Sequence, residues 1–197
     1  MCNTREKGDI TLKSFIIAVR ASIILLLICG LAYPLATTGV AQVIFPKQAE
    51  GSLIKSNGKI EGSKLIAQEF KGPEWFHSRA SAANYDPTAS AATNAAVASD
   101  AYVEATKEKI DELRKENPNL GKDIPADLVT TSGSGFDPDL SPDAVKAQVP
   151  RVAKATGISE AKLVSLVNKH TTNRQLGIFG EPRVNILELN IALQKMK

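Results

Sequence analysis

From Ala21 to Pro46 the chain carries no charged side chain, a run of roughly 26 residues. A helix needs about 20 apolar residues to cross a bilayer. The segment 16–45, IIAVRASIILLLICGLAYPLATTGVAQVIF, is therefore read as a transmembrane helix. A core helix of a soluble domain seldom runs so far without charge. Everything after Pro46 is polar, rich in Ala and punctuated by Gly and Pro. This division predicts one anchor holding one water-facing domain.

A cleaved signal peptide is the rival reading of the N-terminus. No small-x-small cleavage site follows Leu31, and Cys29 follows bulky Ile28, where a lipoprotein signal needs a small residue. The anchor is therefore expected to stay. Arg20 sits near its entry and can snorkel to the headgroups. Leu26 lies in the span, where a charge would oppose insertion. Pro34 and Gly39 suggest a kinked or frayed exit. Arg5, Lys7, Lys13 and Arg20 precede the span, while Lys47, Lys55, Lys59 and Lys64 follow it. The positive-inside count is thus nearly balanced, and Lys13 and Arg20, beside the apolar edge, tilt it towards an N-terminus inside. The expected divisions are a cytoplasmic tail at 1–14, a transmembrane anchor at 15–45 and an extracytoplasmic domain at 46–197.

The soluble stretch of about 150 residues is long enough for one core. Its fold class is expected to be α+β, one mixed, mainly helical domain. The net charge of +3 is too small, and the Lys and Arg residues too scattered, to indicate nucleic acid. Both cysteines, Cys2 and Cys29, fall before or within the span, so the domain has no disulfide or thiolate site.

Asn57-Gly58 between short apolar segments predicts a hairpin, and 64–68 is a further strand candidate. Trp75–His77 reads as extended and 78–93 as a long loop. Val103, Thr106, Ile110 and Leu113 recur at helical steps and predict a helix over 94–116, ended by Asn117-Pro118. Residues 128–131 form a strand candidate. Ser141 with Pro142 begins another helix, which Pro150 is expected to interrupt and Gly157 to close. Ser159 caps the next, with Leu163, Leu166 and Val167 on one face. Asn185 and Glu188 have capping-box spacing ahead of a last helix lined by Leu189, Ala192, Leu193 and Met196.

Three chemistries can be weighed against the motifs they would need. The Ser132-Gly133-Ser134-Gly135 loop lacks the Lys of a phosphate-binding loop and is followed by Phe136 and Asp137. A hydrolase would need Gly-x-Ser-x-Gly, but Thr131 stands where the leading Gly belongs; a triad of Ser134, His170 and Asp137 stays open as an alternative. His77 and His170 are the only histidines, without metal-ligand spacing. No catalytic or metal residue is assigned. Two stretches suit a partner surface instead. Phe76, His77, Arg79, Asn84, Tyr85 and Asp86 mix aromatics with charge in one loop, with Asp137 as a further candidate. Arg174, Glu181 and Arg183 surround Gly177 and Gly180 in another. Ordinary loop packing is the plainer reading of both, and a free-standing anchored binding module is a further alternative.

Seven segments occur in order: LICGLAYPLATTG at 27–39, GSLI at 51–54, GSKLIAQEF at 62–70, WFHSRASAANYDP at 75–87, DLVTTSGSGFDPDLSP at 127–142, QVPRVAKATG at 148–157 and GEPRVNILELNIAL at 180–193. Together they resemble the C subunit of the Kdp potassium-transporting ATPase, from about residue 28 to 193. One departure stands out. Where that family usually shows Gly-Gly-Ser-Asn after Tyr-Asp-Pro, this chain has Ala91-Ala92-Thr93-Asn94, which cannot take positive φ cheaply.

The resemblance implies a non-catalytic, single-span subunit with its domain outside the cytoplasm, in the inner membrane. Its implied partners are a channel-like potassium-carrying subunit, a P-type ATPase subunit and a small membrane subunit. The complex would use ATP and Mg and transport K+, with no cofactor held by this chain. Two roles are implied: stabilising the assembly near the potassium-carrying subunit, and acting as a catalytic chaperone that raises the ATP affinity of the pump subunit. With the domain outside, only about 15–20 residues would face the ATP side, so the second effect must be indirect.

Overall fold

A computed structural model describes residues 4–56 and 58–197, with side chains from Leu12 onward. The chain divides into two compact units at Gly51 and Ser52.

In the first unit a helix runs from α1 (Thr4–Leu27) through a π-helical turn (Ile28–Ala32) into α2 (Tyr33–Ile44). The short α3 (Pro46–Ala49) follows. The stretch Leu12–Ile44 has 33 residues and is long and apolar enough to cross a membrane, spanning roughly 50 Å at 1.5 Å per residue. None of its most apolar stretch is buried, and Leu26 is 68% exposed. Pro34 lacks an N–H, and its ring would crowd the carbonyl of Gly30 one turn earlier. The π turn sits over that carbonyl and supplies the extra room. Of the kinked or frayed exit expected at Pro34 and Gly39, the fraying does not occur; the helix continues ten residues beyond Pro34, to Ile44. Thr37 Oγ1 sits between the carbonyls of Tyr33 and Pro34, 3.0 Å from each, as a hydrogen-bond donor within the helix. The helix starts at Thr4, so most of the expected tail at 1–14 is helical; Cys2 lies outside the described residues.

The second unit is a mixed helical and strand domain. The hairpin pairs β1 (Leu53–Ser56) with β2 (Lys59–Ser63), and Ser56 faces Lys59. Asn57, half of the predicted turn, lies outside the described residues. No strand forms at 64–68; the chain turns instead, with Ile66 N–H donating to Ser63 O. The next helix, α4 (Asp100–Glu116), begins six residues later than the periodicity suggests. Ser99 explains the shift, because its side chain accepts from the Tyr102 N–H and caps the first turn. Residues 126–129 form one helical turn, α5 (Ala126–Val129), rather than the expected strand. Thr130 closes it by donating from both N–H and Oγ1 to Ala126 O.

After β3 (Asp139–Leu140) comes α6 (Pro142–Thr156), capped by Ser141 and ended by Gly157 at φ +74°. Pro150 lies inside this helix and does not break it. Buried Val149, Arg151 and Val152 hold the turn around it against the core, outweighing the lost hydrogen bond. Then follow α7 (Glu160–His170), β4 (Thr171–Thr172), β5 (Arg183–Asn185) and α8 (Ile186–Gln194). Asn185 caps α8 through the Glu188 N–H. The Glu188 carboxylate turns to Lys64 instead, 3.1 Å away.

Strand β5 is the centre of a small antiparallel sheet, ordered β3-β5-β4. Val184 on β5, Val145 and Val152 on α6, Leu163 and Val167 on α7, and Leu189 and Leu193 on α8 are all fully buried. Each such side chain contributes about 1.5–3 kcal/mol. Met196, expected on the same face, lies beyond the helix end and is 40% exposed.

Candidate functional site

The loop that carries most of the predicted residues is threaded over the helical core by side-chain amides. Asn190 on α8 accepts from the Phe76 N–H at 3.0 Å and donates to the Phe76 carbonyl at 2.8 Å. Gln148 on α6 does the same for His77, at 2.8 and 3.3 Å. Two amides thus copy the hydrogen-bond ladder of a neighbouring strand. The Trp75–His77 stretch is therefore fully paired although it belongs to no sheet, as buried backbone must be.

Arg151 locks the turn just before it. Its guanidinium donates to the carbonyls of Pro73 at 2.8 Å and Trp75 at 3.0 Å, to Asn117 Oδ1 at 3.0 Å and to Gln148 Oε1 at 2.8 Å. Burial pulls its pKa below the usual arginine value. Sequence reasoning missed Gln148, Arg151, Asn117 and Asn190. The available signal was polar residues on an apolar stripe: Gln148 and Arg151 fall among Ala144, Val145 and Val152, all buried.

The predicted residues separate into two places. Phe76 has its ring fully buried in the core, so its side chain meets no solvent. His77 Nε2 lies 2.8 Å from the Gly72 carbonyl, which assigns the proton to Nε2. Burial, and then the Arg151 charge, hold its pKa below the ordinary value. At neutral pH the ring is uncharged, and its Nδ1 faces Glu116 at 3.6 Å without an ion pair. Arg79 donates to Asp137 Oδ2 at 3.1 Å and to Thr130 Oγ1 at 2.9 Å. Tyr85 donates to the Arg79 carbonyl at 2.7 Å; burial, helped by Glu69, pushes its pKa up to about 12. Asn84 and Tyr85 both adopt left-handed φ, 51° and 56°. Ser81 Oγ holds that turn by accepting from the Ala83 and Tyr85 N–H groups. Asp86 accepts from the N–H and hydroxyl of Thr88, which keeps its carboxyl below the usual range. A cavity of about 410 Å³ opens here, lined by His77, Ser78, Tyr85, Lys109 and Glu116 among others.

The serine loop completes this region structurally. Ser132, 2% exposed, accepts from the N–H groups of Gly135 and Asp137. Ser134 Oγ accepts from the Phe136 N–H, whereas His170 Nδ1 bonds the Leu166 carbonyl. The triad alternative therefore finds no serine–histidine hydrogen bond among the described residues. Gly135, at φ +79°, passes so close to Ala91 O that a Cβ would sit 2.9 Å from it. Neither Ala91 nor Ala92 takes a positive φ, so the missing glycines leave no strain at those two positions.

Arg174, Glu181 and Arg183 lie elsewhere, between β4 and the end of β5. Arg174 grips both oxygens of Glu181, at 2.8 and 2.6 Å, and Arg183 meets Asp139 at 2.9 Å. Burial nevertheless raises the Asp139 pKa, outweighing the arginine.

Comparison with known proteins covers both units. The family described as K+-transporting ATPase, c chain, matches residues 15–195, beginning earlier than the segments quoted above. A potassium-transporting ATPase KdpC subunit from Caldanaerobacter subterraneus subsp. tengcongensis is 47% identical over 176 residues, covering 89% of this chain and 91% of its own. One from Bradyrhizobium diazoefficiens is 48% identical over 195 residues, covering 90% and 96%. One from Geobacter sulfurreducens is 47% identical over 183 residues, covering 91% and 96%.

Proposed function

The chain belongs to the KdpC family, the c chain of K+-transporting ATPases, and from that membership we propose how its two units serve such a complex. It is an accessory, non-catalytic subunit of the potassium-transporting ATPase. The observation that carries this reading is that the family match, residues 15–195, takes in the membrane-length helix and the domain together.

The helix anchors the chain in the cell membrane with residues 1–14 in the cytoplasm. The domain then stands outside, beside the potassium-carrying subunit, and stabilises the assembly of that subunit with the P-type ATPase subunit and the small membrane subunit. The exposed parts of the loop at 77–86, with Arg79 and Asp137 fixed to one another, form one face of the contact. Any rise in ATP affinity at the pump subunit passes through the complex, a coupling of about 1–3 kcal/mol, since the domain and the nucleotide are on opposite sides of the lipid.

Purification of the full chain from detergent through an affinity tag tests the assembly. The channel-like and P-type subunits should co-elute; a chain that emerges alone overturns the reading. Sidedness is tested at Ser56→Cys in a chain whose Cys2 and Cys29 are replaced by Ser. A membrane-impermeant maleimide should label it from outside intact cells, and labelling only after lysis reverses the topology.

A further inference from the structure

The stretch between the clamped arginines ends in an apolar knob. Leu176 is 88% exposed, Ile178 72% and Phe179 62%. Three large apolar side chains within four residues thus stand in water, and Leu176 is the most exposed large apolar residue among the described residues. The knob is built to keep its shape. Gln175 and Phe179 exchange N–H···O bonds of 2.8 and 2.9 Å, Ile178 N–H donates to Gln175 O, and Arg174 grips Glu181 across the base.

Leu176 sits at φ +53°, followed by Gly177 at φ +76°. A turn with two left-handed residues is ordinarily Asn-Gly or Gly-Gly, and a leucine there is strained because its Cβ crowds the following carbonyl oxygen. Folding alone gives no return for it, because the side chain packs against nothing. Strain of this kind at an exposed position points to use.

We propose that Leu176, Ile178 and Phe179 form a preformed knob that seats in an apolar pocket on another protein subunit of the potassium-transporting complex. This rests on the membership-based reading above and names the surface that serves it. The charge at the base selects protein over lipid. The only charged residues between β4 and the end of β5 are Arg174, Glu181 and Arg183. Arg174 is paired with Glu181, and Arg183 with Asp139. A loop that inserts among anionic headgroups draws on unpaired cations, whereas a neutral collar around a rigid apolar tip suits a dry protein pocket. A knob already in its bound shape also loses little entropy on docking.

The test places a photocrosslinking amino acid at 176 in the full chain, expressed with its complex and irradiated in native membranes. An adduct with another protein subunit is expected. An adduct with lipid only, with a second copy of this chain only, or with nothing overturns the proposal. In parallel, the pair Leu176→Ser and Ile178→Ser should lower the yield of co-eluting subunits about tenfold or more, while the detergent-solubilised chain keeps its melting temperature. Unchanged co-elution of that variant also overturns it. Wild-type co-elution without any adduct at 176 sinks the knob and spares the assembly reading; failure of wild-type co-elution sinks the assembly reading itself.

Discussion

The two units use leucine for opposite ends. Leu26 on the long helix is 68% exposed and touches no core, while Leu163 on α7 is fully buried. Both satisfy the same preference for leaving water, one into lipid and one into protein. Lipid asks only for apolar character over a sufficient length. A protein core asks for shape and for every buried polar group to be paired. The anchor should therefore tolerate any apolar exchange, and the domain should resist even small ones.

Leu163→Ala sharpens this contrast most. It should lower the stability of the domain by about 4 kcal/mol through lost burial and the cavity left behind, read as a fall in denaturation midpoint of the detergent-solubilised chain. Leu26→Ala should leave that midpoint unchanged. Equal losses at both sites would break the comparison. Leu26→Asp tests the other medium. It should disfavour insertion by about 3 kcal/mol, seen as chain released by carbonate extraction, with no effect on the domain. Full retention in the membrane would argue against a spanning helix.

The same distinction explains what could be read ahead of the structure. The anchor was legible because its signal is uncharged length, which needs no partner. The capped helices were legible too: Ser141, Gly157 and Asn185 act within one turn of themselves. Most of what escaped depends on distant residues, the helical turn at 126–129 being a local exception. The stretch at 128–131 has strand-like composition, but Thr130 finds its acceptor four residues back, and a helical turn wins. Pro150 should break a helix, yet tertiary packing of Val149 and Val152 holds it. Of the candidate residues, Arg79, Tyr85 and Asp137 do come together, and Phe76 lies in the core. The amides that position them, Gln148 and Asn190, lie 71 and 114 residues from their partners, and no local pattern announces such a pairing.

Asn190→Leu asks whether that amide ladder matters as much as packing. The substitution keeps the branched skeleton but orphans the Phe76 N–H and carbonyl, and it should cost about 2 kcal/mol. A leucine variant as stable as the wild type would mean that water takes over the ladder, and the strict-pairing half of the contrast would fail.

The smallest effect, and the one that reads the loop most directly, is its pH dependence. His77 faces Arg151, Glu116 and Lys109, and burial together with Arg151 keeps its folded pKa low. The unfolded chain, with an ordinary value near 6.5, therefore binds a proton first as pH falls. Stability is complete above about 6.5 and declines below it, until the pH has passed the folded value and both states carry the proton. Asp139, whose pKa burial raises, acts in the opposite sense at lower pH, so the wild-type curve alone mixes the two. His77→Gln keeps an N–H for the Gly72 carbonyl and removes the titration. The difference between the wild-type and variant melting temperatures should shift in the variant's favour as pH drops from 7 to 5. A difference that moves in the wild type's favour over that range would mean that the ring is charged in the folded chain, paired with Glu116, and a flat one that folding leaves its titration unchanged; either outcome sinks the reading.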